Sequence, residues 1–491
     1  MVLGIDLGTG SIKILLQDIN GTIRCSTSAT YPVNSPEPGA AETNPECWLS
    51  ALKEAIEQVQ HQNIAQGFHE LKIDAIGFSG QMHGIIPLSE KGEILHSAIL
   101  WADGRGSEFI PILEQYIKGR EAEIMNSPNA GMSAISILWL KKYRPEVYNK
   151  ARWFVFPKDF IRYQLTGHIA TDFSDASGSL LYNFKTHNWD QNLCKLLQID
   201  EEKLPPIYNS LEVIGYTTAQ ALQYGLPDQI PVVTGAGDTP AALFGSACFI
   251  NKSSPSNIIQ ISVGTGIQVV RPLSSIPPFN PTLNFYESVL SGQSYHMAGM
   301  LNGGLALEHV REWLNINWDE FYKEFDKNPS KIPQDLVFLP YLAGERTPYR
   351  NPNARGSWIG LSLQHTRQDL MASALFGVAC TVRLGVETLL HSYNTLKPNH
   401  FSFRLVGGSS RRSGWVRLLA SVLEHSLQIL TISDTSAKGA AAMARTTVYK
   451  SMPEQPQFHE IQPIELPELE QLYKSFLENY QKLYPAKYPH T

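Results

Sequence analysis

The segment Met1–Gln17 places one acid, Asp6, at the end of a β-prone run (Val2 to Ile5). Gly8-Thr9-Gly10 and a second β-prone run, Ile12 to Leu16, follow it. The same tripeptide returns 256 residues later as Gly264-Thr265-Gly266, between the β-prone runs Ile258 to Val263 and Ile267 to Val270. Such a repeat at the head of each half implies two related domains facing one another. Glycine admits positive φ at a tight turn, and consecutive N–H groups there form an anion-binding concavity. The copies differ at one informative place, where Ser262 is the counterpart of Asp6. A carboxylate beside bound phosphate needs a cation between them, so Asp6 reads as the Mg²⁺ side of such a site. The competing reading is an Asp that stabilises its own turn.

At 491 residues the chain exceeds one hydrophobic core, and two domains are expected. A net charge of -6 gives no basic footprint for nucleic acid, which favours small-molecule substrates. Cys25, Cys47, Cys194, Cys248 and Cys380 are scattered and odd in number, so neither a disulfide framework nor a CxxC site is indicated. No apolar segment reads as a membrane span and no targeting segment is evident, so a cytoplasmic protein is expected.

Helical spacing of apolar residues predicts helices over 45–60, 134–143, 158–165 (closed by Gly167), 239–247, 369–390 and 415–423. Strands are expected over 73–78, 230–234 and 401–406. The alternation makes the chain α/β. The Ser/Pro stretch 251–257 is a candidate domain junction, which sets the expected domains at 1–248, 257–450 and a terminal 451–491 segment. In the last of these, Leu469, Leu472, Tyr473, Phe476, Tyr480 and Leu483 form an amphipathic helix that packs on one domain.

Walker A, protein-kinase and dinucleotide fingerprints are missing. Instead, five strand ends present glycine, at residues 8–10, 80–84, 235–237, 264–266 and 407–408. Ligands of open α/β sheets bind at such ends, so these loops can converge on one cleft. Asp238 has two readings. It is the N-cap of the helix that follows, or a general base accepting a proton from a hydroxyl that attacks phosphorus. His83, flanked by Gly80 and Gly84, is a satisfied buried histidine or, with Met82, the lining of a small polar pocket.

These residues, with Ile99-Leu-Trp101-Ala-Asp103-Gly-Arg105, Pro157-Lys158-Asp159, Asp172-Phe-Ser-Asp175-Ala-Ser-Gly178, Leu339-Pro-Tyr341-Leu-Ala-Gly344-Glu345-Arg346-Thr347-Pro348 and Gly407-Gly408 with Trp415, carry a resemblance. The chain resembles the FGGY carbohydrate kinases of the sugar kinase, Hsp70 and actin superfamily, and most of all their xylulokinase branch. The resemblance implies two ribonuclease-H-like domains around a central cleft, sugar mainly on the first and ATP mainly on the second. It implies Asp238 as the base and Asp6 as support for Mg²⁺, with Asp238 also near the metal through water. Met82, His83, Trp101, Asp103 and Thr239 would face the sugar. Gly8, Thr9, Gly10, Gly264 and Thr265 would hold ATP phosphates, while Gly407, Gly408 and Arg411 would border adenosine. Glu345 and Arg346 are expected to be structural, as a paired turn.

The chain departs from the family pattern in three places. Thr239 stands where xylulokinases usually carry Asn, Gly264-Thr265-Gly266-Ile267 replaces GTSG, and Gly407-Gly408-Ser409-Ser410 replaces GGGA. The expected activity is ATP-dependent phosphorylation of a ketopentose, D-xylulose first. The rivals are another pentulose, a polyol or gluconate, and, in a different class, a non-catalytic actin-like ATP-binding module. Expected partners are the sugar and ATP, without nucleic acid or membrane, and with a homodimer left open.

Overall fold

The computed structural model describes residues 1–67, 71–250, 257–327, 331–393, 400–431 and 434–485. Two seven-stranded sheets dominate it. In the first, Ile23–Thr30, Ser11–Gln17 and Val2–Leu7 run antiparallel in succession. Ala75–Gly80 then lies parallel to Val2–Leu7, Pro231–Val233 lies parallel to Ala75–Gly80, and Val213–Tyr216 closes the edge antiparallel. The second sheet repeats this order with Ser294–Met300, Ile267–Leu273, Ile258–Val263, Ser402–Val406, Leu427–Leu430 and Phe458–Ile461. The repeated GTG tripeptide is thus the turn of the first hairpin in each sheet. The second turn is one residue shorter, because Leu7 faces Ile12 whereas Val263 faces Ile267.

Each sheet has its own core. The first packs Ile5, Leu7, Ile14, Ile76 and Phe78 against Trp48, Leu52 and Ile56 of the Pro45–Ala65 helix. The second packs Ile259, Ile261, Val269 and Leu405 against the Arg367–His391 and Ser413–Leu423 helices. Arg367–His391 is long and apolar enough to cross a membrane, contrary to the expectation that no segment is, but 83% of its apolar window is buried in this core. The Leu469–Leu483 helix lies on the same core, with Tyr480 stacked on Tyr349 at 3.6 Å and Tyr473 donating to Glu387. The 251–256 stretch read as a junction lies outside the described residues.

One helix leaves its sequence neighbours. Thr435–Tyr449 crosses back onto the first sheet and packs on the Asp238–Gly245 helix. Close approach requires small residues: a Cβ on Gly77 would lie 1.9 Å from the Ala440 carbonyl, and one on Gly439 would lie 1.8 Å from that of Ala241. Both helices bring their first turns to the ends of the first sheet's central strands. That crossing sets the position of the site.

Candidate active site

Across the first sheet Asp6 faces Ser79, Leu7 faces Gly80, and Gly237 also faces Gly80, so three strand ends finish side by side. Asp6 is buried and accepts hydrogen bonds on both oxygens, from Ser79 Oγ at 2.9 Å and Ser436 Oγ at 2.5 Å. Burial raises its pKa against the pull of those two hydroxyls and of Lys13. Lys13 itself pairs with Asp434 at 2.7 Å, just before the crossing helix.

Asp238 is the first residue of its helix, with Gly237 at the cap position, so the N-cap reading is corrected. Its Oδ1 accepts instead from the Thr239 N–H at 2.6 Å. Burial first, and then the negative charge of Asp6, push the Asp238 carboxyl up to about 6. A carboxylate tuned this way titrates close to working pH, as a general base should. The Thr239 hydroxyl has two acceptors within reach, Asp238 Oδ1 at 3.2 Å and Gln268 Oε1 of the second sheet at 3.4 Å.

The loop after Ala75–Gly80 meets the turn before Asp238. A Cβ on Gly237 would strike Met82 Cγ at 2.6 Å, and Met82 packs with Leu243, Tyr286 and Tyr295. His83 adopts a left-handed backbone (φ 71) and its Nδ1 lies 2.9 Å from the Gly178 carbonyl. Burial lowers its pKa to about 4, so the ring is neutral near pH 7. With Nδ1–H donating to that carbonyl, Nε2 is left as an acceptor.

Arg346 completes this wall from the second half of the chain. Its guanidinium lies 5.9 Å from the Trp101 ring, and its charge acts on both His83 and Tyr286. Among the described residues the Arg346 side chain has no hydrogen-bond partner, while Glu345 is held by the backbone N–H groups of Leu301 and Arg346 and by Asn302. Arg346 joins the paired turn through its backbone, whose N–H donates to Glu345 and whose carbonyl accepts from the Arg350 N–H, while its guanidinium extends to this wall. Trp101 Nε1 donates to Thr9 Oγ1 at 2.9 Å, tying this wall to the first glycine turn. Asp103 is not brought into the constellation: both its oxygens are engaged by Arg105 and one by the Ala41 N–H.

On the opposite side, Gly8 N–H is taken up by Ser11 and Gly264 N–H by Gly266 within their turns. Among the described residues the amides of Thr9, Gly10, Thr265 and Gly266 have no partner, and a Cβ on Gly10 or Gly264 would meet nothing within 4 Å. Ser262 faces Val406 across the second sheet, so Gly407 (φ 93) turns beside the second hairpin. Gly408 opens a short helical turn that carries Arg411. Beyond it a cavity of about 290 Å³ is lined by Ser410, Arg411, Val416, Leu430, Thr431 and His459 among others.

Asp6 and Asp238 are the acids available to a divalent ion here, and among the described residues no group of three His, Cys, Asp or Glu could hold one. Mg²⁺ keeps several waters and binds through one or two carboxylates plus substrate phosphates, so two acids beside open glycine amides fit it. Sequence reasoning missed Ser79, Ser436 and Arg346. A hydroxyl or guanidinium distant in sequence carries no local signal, although Ser436 does open a small-residue helix.

Comparison with known proteins decides the family. Residues 1–245 match the N-terminal domain of the FGGY family of carbohydrate kinases and residues 260–447 match its C-terminal domain. The chain belongs to the FGGY family. This FGGY kinase is 30% identical to the xylulose kinase of Lactococcus lactis subsp. lactis, over 90% of this chain and 87% of that one. It is 27% identical to the gluconokinase of Bacillus subtilis, over 90% and 86% of the two chains. Among solved structures, a xylulose kinase from Lactobacillus acidophilus superposes with a TM-score of 0.87 at 25% identity, covering 98% of each chain. Membership makes this protein a phosphotransferase acting on carbohydrate, built on the fold shared by such kinases.

Proposed function

We propose that this FGGY kinase transfers the γ-phosphate of ATP to the terminal hydroxyl of a ketopentose, D-xylulose foremost, with Asp238 as general base. The observation that carries the reading is the buried Asp238 carboxyl, raised to about 6 by burial and by Asp6, one residue after Gly237, which packs on Met82. The acceptor hydroxyl lies against Asp238, and His83 Nε2 and the Arg346 guanidinium bind its remaining oxygens. Asp238 removes the hydroxyl proton as the oxygen attacks phosphorus. The amides of Thr9, Gly10, Thr265 and Gly266 hold the phosphate oxygens, as phosphoryl transfer relies on positioning and charge neutralisation. Adenosine occupies the cavity beside Gly408 and Arg411. Asp6, and Asp238 through water, would hold Mg²⁺, which would neutralise phosphate charge. Closure of the two domains excludes water, which would compete for the same phosphoryl group.

The xylulose kinase relatives support the acceptor assignment. A second reading, gluconate, is favoured by the gluconokinase relative and by the unpartnered guanidinium of Arg346, which would accommodate a carboxylate. Asp238→Asn tests the mechanism. Acceptor-dependent ADP release is expected to fall by about 10²–10⁴-fold while ATP binding by calorimetry is retained. Unchanged turnover in this variant would remove Asp238 from the role.

A further inference from the structure

Beneath the two loops that meet at Asp238 lies a buried charge cluster. Lys158 Nζ is ion-paired with Asp159 Oδ1 at 2.8 Å, Asp172 Oδ1 at 2.8 Å and Asp175 Oδ2 at 2.7 Å. Arg162 pairs with the same Asp159 oxygen. All five side chains are at most 1% exposed. A buried ion cluster contributes little net stability, because desolvation offsets the Coulombic gain. Its geometry shows what it holds.

The stem of Lys158 lies under Gly80, where a Cβ would come within 2.9 Å of Lys158 Cβ, and Gly80 leads directly into Gln81-Met82-His83. Arg162 donates to the Thr234 carbonyl at the entry to the Gly235-Ala-Gly turn. Asp172 Oδ2 accepts from Ser174 Oγ at 2.5 Å, and that hydroxyl oxygen accepts the Gly237 N–H at 2.9 Å. Gly237 is the residue before Asp238. The same short helix, Phe173–Ser177, ends at Gly178, whose carbonyl orients His83. With the Ser174 proton directed to Asp172, its lone pairs face Gly237, so the polarity of the relay is fixed by the carboxylate.

We propose that Ser174 is a positioning residue for the catalytic base. In this arrangement Lys158 holds Asp172, Asp172 orients the Ser174 hydroxyl, and Ser174 fixes the Gly237 peptide from which the Asp238 carboxylate projects. The inference rests on Asp238 being the base, and it goes beyond that reading by assigning the Lys158, Asp172 and Ser174 chain a role in the reaction. A backbone shift of this kind misplaces the base, and misplacement by ~1 Å can cost ~10²-fold in rate.

The test compares Ser174→Ala, Ser174→Cys and Ser174→Thr with Asp238→Asn, using kcat and both KM values. Ser174→Ala is expected to lose ~10–100-fold in kcat with the ATP KM unchanged. Threonine, which keeps the hydroxyl, restores kcat, and cysteine, a weaker acceptor, falls between. A folded Ser174→Ala with the parent's kcat overturns the proposal, and so does a kcat loss that threonine fails to rescue or that comes with an equal rise in the ATP KM. If Ser174→Ala does not fold, the cysteine variant decides, and a parental kcat there overturns it. Full turnover in Asp238→Asn instead overturns the assignment of the base, which separates the two failures.

Discussion

The Asp238 carboxyl lies in a setting that disfavours its charge, and the cause of its raised pKa fixes the sign of two predictions for the proposed base. Its pKa of about 6 comes from burial and then from Asp6, so kcat/KM should fall as pH drops through 6, about tenfold per unit below it. A profile flat from pH 7 to 5 contradicts the assignment. The same shift bears on stability. The folded pKa lies above the ordinary carboxylate value, so ionised Asp238 costs stability above pH 6, and the cost fades as pH falls through 6 toward 4. Asp238→Asn should therefore melt higher than the parent at pH 7.5, with the gap closing near pH 4 in thermal scans. Arg346 is the other residue with a distinct expectation. Arg346→Met should raise the acceptor KM by ~10-fold or more with the ATP KM unchanged, since a charge-assisted hydrogen bond is worth roughly 1.5–3 kcal/mol. Equal increases in both KM values would place Arg346 outside the acceptor wall.

At the scale of elements, the crossing of the Asp238–Gly245 and Thr435–Tyr449 helices is a very close contact beside the site. Gly439→Val should lower stability by about 1–3 kcal/mol, because its side chain would meet the Ala241 carbonyl. Chemical denaturation that shows no loss would mean that the helices do not pack this closely. The elements themselves were largely legible in sequence because their signals are local. Glycine turns marked both hairpins, Gly167 closed the Pro157–Thr166 helix in a left-handed conformation, and apolar spacing marked Arg367–His391. Their destinations were not legible. Nothing local in Thr435–Tyr449 says that it crosses to the first sheet, so the bond from Ser436 to Asp6, 430 residues apart, had no sequence signature. Arg346 read as half of a local pair for the same reason, whereas its guanidinium reaches across to Trp101.

The whole molecule is two sheets of the same strand order whose first hairpins face a shared cleft, and the repeat that announced this is imperfect where chemistry needs it to be. Asp6 has Ser262 as its counterpart, so the first copy carries an acid beside its turn while the second carries a hydroxyl. Thr239 has Gln268 of the second sheet in reach, which makes it a link between the two sheets as well as a neighbour of Asp238. The proposed acceptor contacts belong to this scale, because His83 comes from one half of the chain and Arg346 from the other. The most direct measurement is the initial rate of ADP formation by the purified full chain with ATP and Mg²⁺ over D-xylulose, D-ribulose, L-ribulose, D-gluconate and glycerol, with the product located by phosphorus NMR. The highest kcat/KM is expected with D-xylulose, with phosphate on its C5 oxygen. No turnover of D-xylulose beside efficient turnover of D-gluconate or another acceptor would contradict the assignment.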